Sequence, residues 1–260
     1  MSDGLWRTSF WQWQNGRRER VEGAVPVEEQ ILLYVNGVTL VGLMCTPVAL
    51  EELALGFLWN EGLIAGMDEV VSARVCGSGR CVDVWLTKDI ELPALRTITS
   101  GCSGGTTFES LVEARHPVTL DLRVTPEGVL ALMGRLQEAA HLYRQAQGIH
   151  TSALADGEEL LCVAEDVGRH NTLDKLVGSC LRRRMPTAGR ILLTSGRVSS
   201  EMLSKAARME APLVISRTAP TSLSVALARA WGITLVGYVR GRTFRVYAHP
   251  RRIAGWETEE

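Results

Sequence analysis

The chain has 260 residues, with 28 Lys and Arg against 29 Asp and Glu, and 46% of it is hydrophobic. Near-zero net charge with ordinary apolar content excludes a disordered chain and a globally nucleic-acid-binding one, so any anion site has to be local. No apolar stretch approaches the ~20 residues that span a bilayer, and the opening Met1-Ser-Asp-Gly-Leu-Trp-Arg-Thr-Ser-Phe10 lacks an apolar signal run. The expectation is a soluble, cytoplasmic protein with neither nucleic acid nor membrane as partner. Its length allows one large or two ordinary domains. Cys45, Cys76, Cys81, Cys102, Cys162 and Cys180 are too scattered for a secreted disulfide framework and read mostly as free thiols.

Residues 1–24 are polar, punctuated by tryptophan, and carry the basic cluster Arg17-Arg18-Glu19-Arg20; they read as a polar tail or a docking arm. Residues 25–96 read as a small α+β domain. Ile31 to Val35 and Val38 to Met44 flank Asn36-Gly37, a hairpin signal because both residues tolerate the positive φ of a type I′ turn. Pro47 is read as opening a helix with the apolar stripe Leu50, Leu53, Ala54, Phe57 and Leu58, and with Glu51 and Glu52 where the helix dipole favours acids. A second hairpin, Val70 to Val75 and Val82 to Leu86, closes through Cys76-Gly-Ser-Gly-Arg-Cys81. Its two cysteines could face one another as a disulfide or as half of a metal site. Neither is expected, since no second pair or nearby histidine completes a zinc set.

Residues 97–107, dominated by glycine, serine and threonine, read as a flexible loop. Within it Cys102 lies among Gly101, Ser103, Gly104 and Gly105, which leave a thiol uncrowded and backbone N–H groups available to a sulfur anion. The alternative is an inert turn thiol. Residues 108–260 then read as an α/β domain. A helix starts at Thr125-Pro126-Glu127, and strands near 149–154, 160–164, 191–194, 213–216 and 233–239 alternate with helices near 168–183, 198–209 and 220–231. The hairpin that opens this domain makes its sheet mixed.

The densest polar cluster, Glu165-Asp-Val-Gly-Arg-His-Asn171, falls between a strand and a helix, where open α/β sheets bind ligands. A merely capped helix end is the competing reading. Thr194-Ser-Gly-Arg-Val-Ser-Ser200 and Ser216-Arg-Thr-Ala-Pro-Thr-Ser222 end two further strands, so parallel strands would bring Arg169, Arg197 and Arg217 to one edge as a phosphate cradle. Arginines paired with local carboxylates would be the plainer outcome. Tyr238-Val-Arg-Gly-Arg-Thr243 adds two arginines beside a strand end, and His150 borders the same crevice. A deaminase-type zinc hydrolase is not indicated, because neither H-x-E nor P-C-x-x-C is present.

In this order the residues resemble the FdhD family of formate dehydrogenase accessory sulfurtransferases. The resemblance rests on Val35-Asn-Gly37, Thr46-Pro47, Glu51 to Phe57, Gly148-Ile-His-Thr-Ser-Ala153, Glu165 to Lys175, Ser195-Gly-Arg197 with Glu201-Met202 and Lys205-Ala206, Ala219-Pro-Thr221 and Leu235-Val-Gly237. It implies a sulfur carrier that takes persulfide sulfur from a cysteine desulfurase. The sulfur would pass to a bis-(molybdopterin guanine dinucleotide) molybdenum or tungsten cofactor required by formate dehydrogenase. It also implies a homodimer, no structural metal, and a mixed-sheet three-layer C-terminal domain of cytidine deaminase type beside the smaller α+β domain. Cys102 would be the carrier. Tyr238, Val239, Arg240, Gly241, Arg242 and Thr243 would contact the cofactor's guanine nucleotide, with Arg169, His170 and Arg197 alongside. Members usually carry C-x-x-C in the flexible loop, whereas glycine stands here at the second position, Gly105. A single thiol suffices for persulfide transfer, since the terminal sulfur can leave from a thiolate. The alternative function is a cofactor chaperone in which Cys102 is incidental.

Overall fold

The computed structural model describes residues 3–90, 97–98, 106–107, 117–120 and 122–256. At the start of the chain, β1 (Leu5–Gln14) and β2 (Arg17–Pro26) pair antiparallel along their full length about Asn15-Gly16. This corrects the expected tail. The ribbon escaped sequence reading because it lacks the usual alternation: Trp6, Phe10, Trp11 and Trp13 are all exposed, on both of its faces.

A four-stranded sheet follows, built from β3 (Glu29–Val35), β4 (Val38–Cys45), β5 (Val70–Val75) and β6 (Cys81–Leu86) in the order β4-β3-β6-β5. Asn36 and Gly37 both take positive φ at the first hairpin, as the turn demands. Helix α1 (Leu50–Asn60) lies between β4 and β5 in sequence and begins three residues after Pro47, because Ala49 turns the chain through a left-handed conformation. The anticipated stripe is buried, and so are Leu55 and Gly56, since α1 is covered on two sides. Strands β7 (Thr97–Ile98) and β8 (Thr106–Thr107) form a short antiparallel ladder that brings together the two ends of the segment holding Cys102, which itself lies outside the described residues.

The remaining elements are α2 (Pro126–Ala139), α3 (His141–Ala146), β9 (His150–Ala155), β10 (Leu160–Asp166), α4 (Arg169–Arg182), β11 (Ile191–Thr194), α5 (Ser200–Arg208), β12 (Leu213–Ser216), α6 (Ser222–Ala230), β13 (Thr234–Arg240) and β14 (Thr243–Ala248). The strands make one mixed sheet, β10-β9-β11-β12-β13-β14. Helix α2, with Thr125 capping it and Pro126 in its first turn, packs Val129, Leu132 and Leu136 against one face. On the other face, Leu173, Leu176, Met202, Leu203 and Ala228 from α4, α5 and α6 form the largest core. Helix α1 packs along α4 and joins the two sheets. Their contact is backbone to backbone: a Cβ on Gly56 would lie 1.7 Å from the Asp174 carbonyl oxygen, and one on Gly178 would lie 1.9 Å from that of Glu52. Among the described residues, no helix is long and apolar enough to cross a membrane.

Candidate functional site

Because β9 runs antiparallel to both β10 and β11, and β11, β12 and β13 are parallel, strands β10, β11, β12 and β13 all end at one edge of the sheet. His150, the first residue of β9, sits there too. The loops are tied to one another by hydrogen bonds. Thr151 N donates to Ser195 Oγ (2.9 Å), Ser216 Oγ to the Gly196 carbonyl (2.8 Å), Arg217 N to the Thr194 carbonyl (3.1 Å) and Tyr238 N to the Thr218 carbonyl (3.1 Å).

A cavity of about 810 Å³ opens at this edge, within the size range of ligand pockets. Met133, Leu136 and Ala140 give it an apolar side, and Tyr143, Arg144, His150, Thr151, Ser195, Arg217, Thr218 and Arg240 give it a polar one. Arg144, Arg217 and Arg240 reach its wall from α3, the loop after β12 and the end of β13. The Arg144 guanidinium is tied back to the Gln137 and Glu138 carbonyls and to His141 Nδ1, which leaves Arg217 and Arg240 as the cations offered to a ligand. Tyr238 has φ 54° inside a bulged stretch of β13, a conformation rarely taken by an aromatic residue. The bulge turns its ring beneath two guanidinium groups, with Arg245 at 4.3 Å and Arg240 at 5.7 Å from the ring centroid. Of the residues expected to bind nucleotide, Arg240 lines the cavity. Gly241, Arg242 and Thr243 form the exposed turn just beyond it, and Val239 is buried beneath.

Arg169, Arg197 and His170 divide differently. Arg197 is exposed. Arg169 is buried with its stem against Gly196, where an added Cβ would meet Arg169 Cβ at 3.0 Å and His150 Nδ1 at 3.3 Å. His170 contacts Glu201 (2.8 Å) and Ser199 Oγ (3.3 Å). Burial pulls the His170 pKa below the ordinary imidazole value, against the upward pull of Glu201. His150 is lowered as well, by burial and then by the charge of Arg169. The cavity wall therefore presents a neutral imidazole at neutral pH.

Most of the dense polar cluster is structural. Glu165 accepts from the backbone N–H groups of Leu142 (2.8 Å) and Tyr143 (3.1 Å), capping α3 and so fixing the helix that carries Arg144. Asp166 is fully buried, accepts from Thr46 N (3.1 Å) and Asn171 Nδ2 (2.9 Å), and pairs with Lys175 at 2.6 Å. Lys175 also donates to the Thr46 carbonyl (3.0 Å), and Asn171 donates to the Met44 carbonyl (2.8 Å). Asp174 accepts from Asn60 (2.7 Å) and pairs with Lys205 at 2.5 Å. The segment fastens the large sheet to β4 and α1. Sequence reasoning overlooked Tyr143 and Arg144, since α3 is too short to leave a periodic signal.

Three described cysteines, Cys45, Cys162 and Cys180, are free and buried. Burial and the Asp166 charge push the Cys45 thiol up to about 12, which leaves it inert. Cys76 and Cys81, expected as free thiols, form a disulfide. The hairpin register places them opposite each other, a proximity that cysteine counting alone does not reveal. Among the described residues no cluster of His, Cys, Asp and Glu is placed to hold a metal ion.

Residues 26–254 match the model of the FdhD/NarQ family, which spans both sheets and the whole site. The chain belongs to the FdhD/NarQ family. It is 36% identical to the sulfur carrier protein FdhD of Staphylococcus haemolyticus, over 98% of this chain and 99% of that one. It is 37% identical to the sulfur carrier protein FdhD of Bacillus subtilis, over 94% and 95% respectively. A crystal structure provisionally described as a formate dehydrogenase accessory protein from Desulfotalea psychrophila superposes with a TM-score of 0.81 at 29% identity, covering 96% of this chain and 99% of that one. The FdhD/NarQ relationship thus covers both sheets and not the second alone.

Proposed function

We propose that the protein is a sulfurtransferase that carries sulfur to a bis-(molybdopterin guanine dinucleotide) molybdenum or tungsten cofactor destined for formate dehydrogenase. Sulfur arrives as a persulfide on Cys102 from a cysteine desulfurase, and the cofactor is held as a substrate through its guanine nucleotide. The observation that carries this reading is the placement of Arg217 and Arg240 on one cavity at the carboxyl edge of the strands. A nucleotide pyrophosphate is the kind of anion that such guanidinium groups hold with paired hydrogen bonds. Tyr143 and the apolar side supply surfaces for a purine. Neutral His150 can donate or accept at that wall without adding a charge. The relatives named as sulfur carriers and as a formate dehydrogenase accessory protein support the same chemistry. The three-layer arrangement of α2, sheet and α4 to α6 accords with a deaminase-type fold, and a homodimer in the cytoplasm accords with a shuttle between soluble partners.

The test has two arms. GDP binding by calorimetry should weaken at least about tenfold in Arg217→Ala and Arg240→Ala, the loss of a charged hydrogen bond worth ~1.5–3 kcal/mol. Treatment with a cysteine desulfurase and cysteine should add one sulfur to the Cys102 peptide, and Cys102→Ala should abolish it. Retained GDP binding without sulfur on Cys102 would leave the chaperone reading.

A further inference from the structure

Cys76 and Cys81 bracket the tip of the β5–β6 hairpin, which precedes the segment holding Cys102 in the chain. We propose that this pair is a working dithiol–disulfide couple that discharges a persulfide as hydrosulfide, a site separate from the Cys102 carrier. The proposal rests on the sulfur-handling part of the function proposed above, and on nothing about the nucleotide.

The local structure makes a purely mechanical role weak. The hairpin is already closed by the β5–β6 ladder, by Cys76 N donating to the Cys81 carbonyl (2.9 Å), and by Leu32 N donating to the Arg80 carbonyl (3.0 Å). A crosslink between residues five apart restrains little additional chain, because disulfide stabilisation grows with the loop enclosed. The tip is also accessible. Gly77, Ser78 and Arg80 are exposed, and open space surrounds the positions where Gly77 and Gly79 would carry a Cβ. Both cysteines are half-buried, so an incoming sulfur compound meets them at the surface.

The two sulfurs are not equivalent. Ser78 Oγ donates to Cys76 Sγ at 3.2 Å, a bond that would strengthen to a thiolate once the disulfide opens. The exposed Arg80 adds positive charge beside Cys81 at the hairpin tip, whereas Arg74 is opposed across the ladder by Asp83, so Ser78 is the feature that separates the two sulfurs. Its hydroxyl makes Cys76 the attacking thiol and Cys81 the resolving one.

The steps balance without an external oxidant. Cys76 thiolate attacks the outer sulfur of a persulfide; a new S–S bond forms on Cys76, and the donor departs as its thiolate. Cys81 thiolate then attacks Cys76 Sγ, the Cys76–Cys81 bond forms, and hydrosulfide leaves. The sulfane sulfur is reduced to sulfide while two thiols become a disulfide. A low-molecular-weight thiol resets the couple by exchange, two equivalents per turn.

The experiment uses the full-length protein, prereduced and freed of reductant, with glutathione persulfide as the probe. Sulfide release and the mass of the 70–86 peptide are read for wild type, Cys76→Ser, Cys81→Ser, Ser78→Ala and Cys102→Ala. Stoichiometric sulfide with a Cys76–Cys81 disulfide is expected for wild type and for Cys102→Ala. Cys81→Ser should trap one extra sulfur on Cys76, Cys76→Ser should release none through this hairpin, and Ser78→Ala should slow the burst several-fold. Thermal unfolding of both serine variants checks that they remain folded. Sulfide release that survives in Cys81→Ser, or that disappears in Cys102→Ala, overturns the proposal. A Cys76–Cys81 bond that excess dithiothreitol leaves closed in the native protein overturns it as well. Failure of the carrier reading would instead appear as an unlabelled Cys102 with this couple intact.

Discussion

At the scale of single residues, the polar cluster at 165–175 shows how one stretch of sequence serves two ends. Glu165, Asp166, Asn171 and Lys175 spend their hydrogen bonds on α3, Thr46 and Met44, while Arg169 and His170 remain at the strand edge. Density of polar residues signals the edge correctly but does not divide cap from site, because both need carboxylates and amides near unpaired backbone groups. Glu165→Ala should therefore cost about 1 kcal/mol of stability through the lost cap and also weaken GDP binding by loosening the α3 wall of the cavity. Glu165→Gln, which keeps one acceptor oxygen, should recover part of both, as calorimetry and thermal melts would show. The depressed histidines set a pH dependence. Their folded pKa values lie below the ordinary 6.5, so the stability they contribute is fully present above that pH and is lost as pH falls through the folded values. A melting temperature that is flat from neutral to mildly alkaline pH and falls below about pH 6.5 is expected, with a shallower fall in His150→Gln.

At the scale of elements, helix starts and faces were legible wherever local chemistry sets them. Thr125-Pro126 caps α2, and the α1 stripe is buried as its spacing requires. The α1–α4 crossing was not legible, since Gly56 and Gly178 look like ordinary helix-weakening residues until the partner backbone is seen. Gly56→Ala and Gly178→Ala should each destabilise by several kcal/mol, because the atoms that a methyl group would meet are carbonyl oxygens that cannot move without separating the helices. Gly134→Ala in α2 has open space around the new methyl group and should stabilise by about 0.5–1 kcal/mol. Urea unfolding of the three variants checks the contrast. The β1–β2 ribbon was missed for a related reason: with aromatics exposed on both faces, it buries no periodic stripe that would betray a strand.

At the scale of the whole molecule, the two sheets are fastened by the buried Asp166–Lys175 pair and its bonds to Thr46. Burial pushes the Asp166 carboxyl up, and Lys175 is the main influence that holds it down. Removing the cation should strand a buried charge: Lys175→Met is expected to cost ~3–5 kcal/mol, and circular dichroism melts would show it. The alternation of strands and helices, the mixed sheet, the crevice edge and the family likeness were determined by sequence alone, because periodicity, turn residues and local motifs are short-range properties of the chain. Which arginines meet, that Glu165 holds α3, that Gly56 and Gly178 let two helices touch, and that Cys76 faces Cys81 were decided only by tertiary structure. Each is a contact whose partner is chosen by sheet order, strand register or helix packing, and not by the residue's own neighbours.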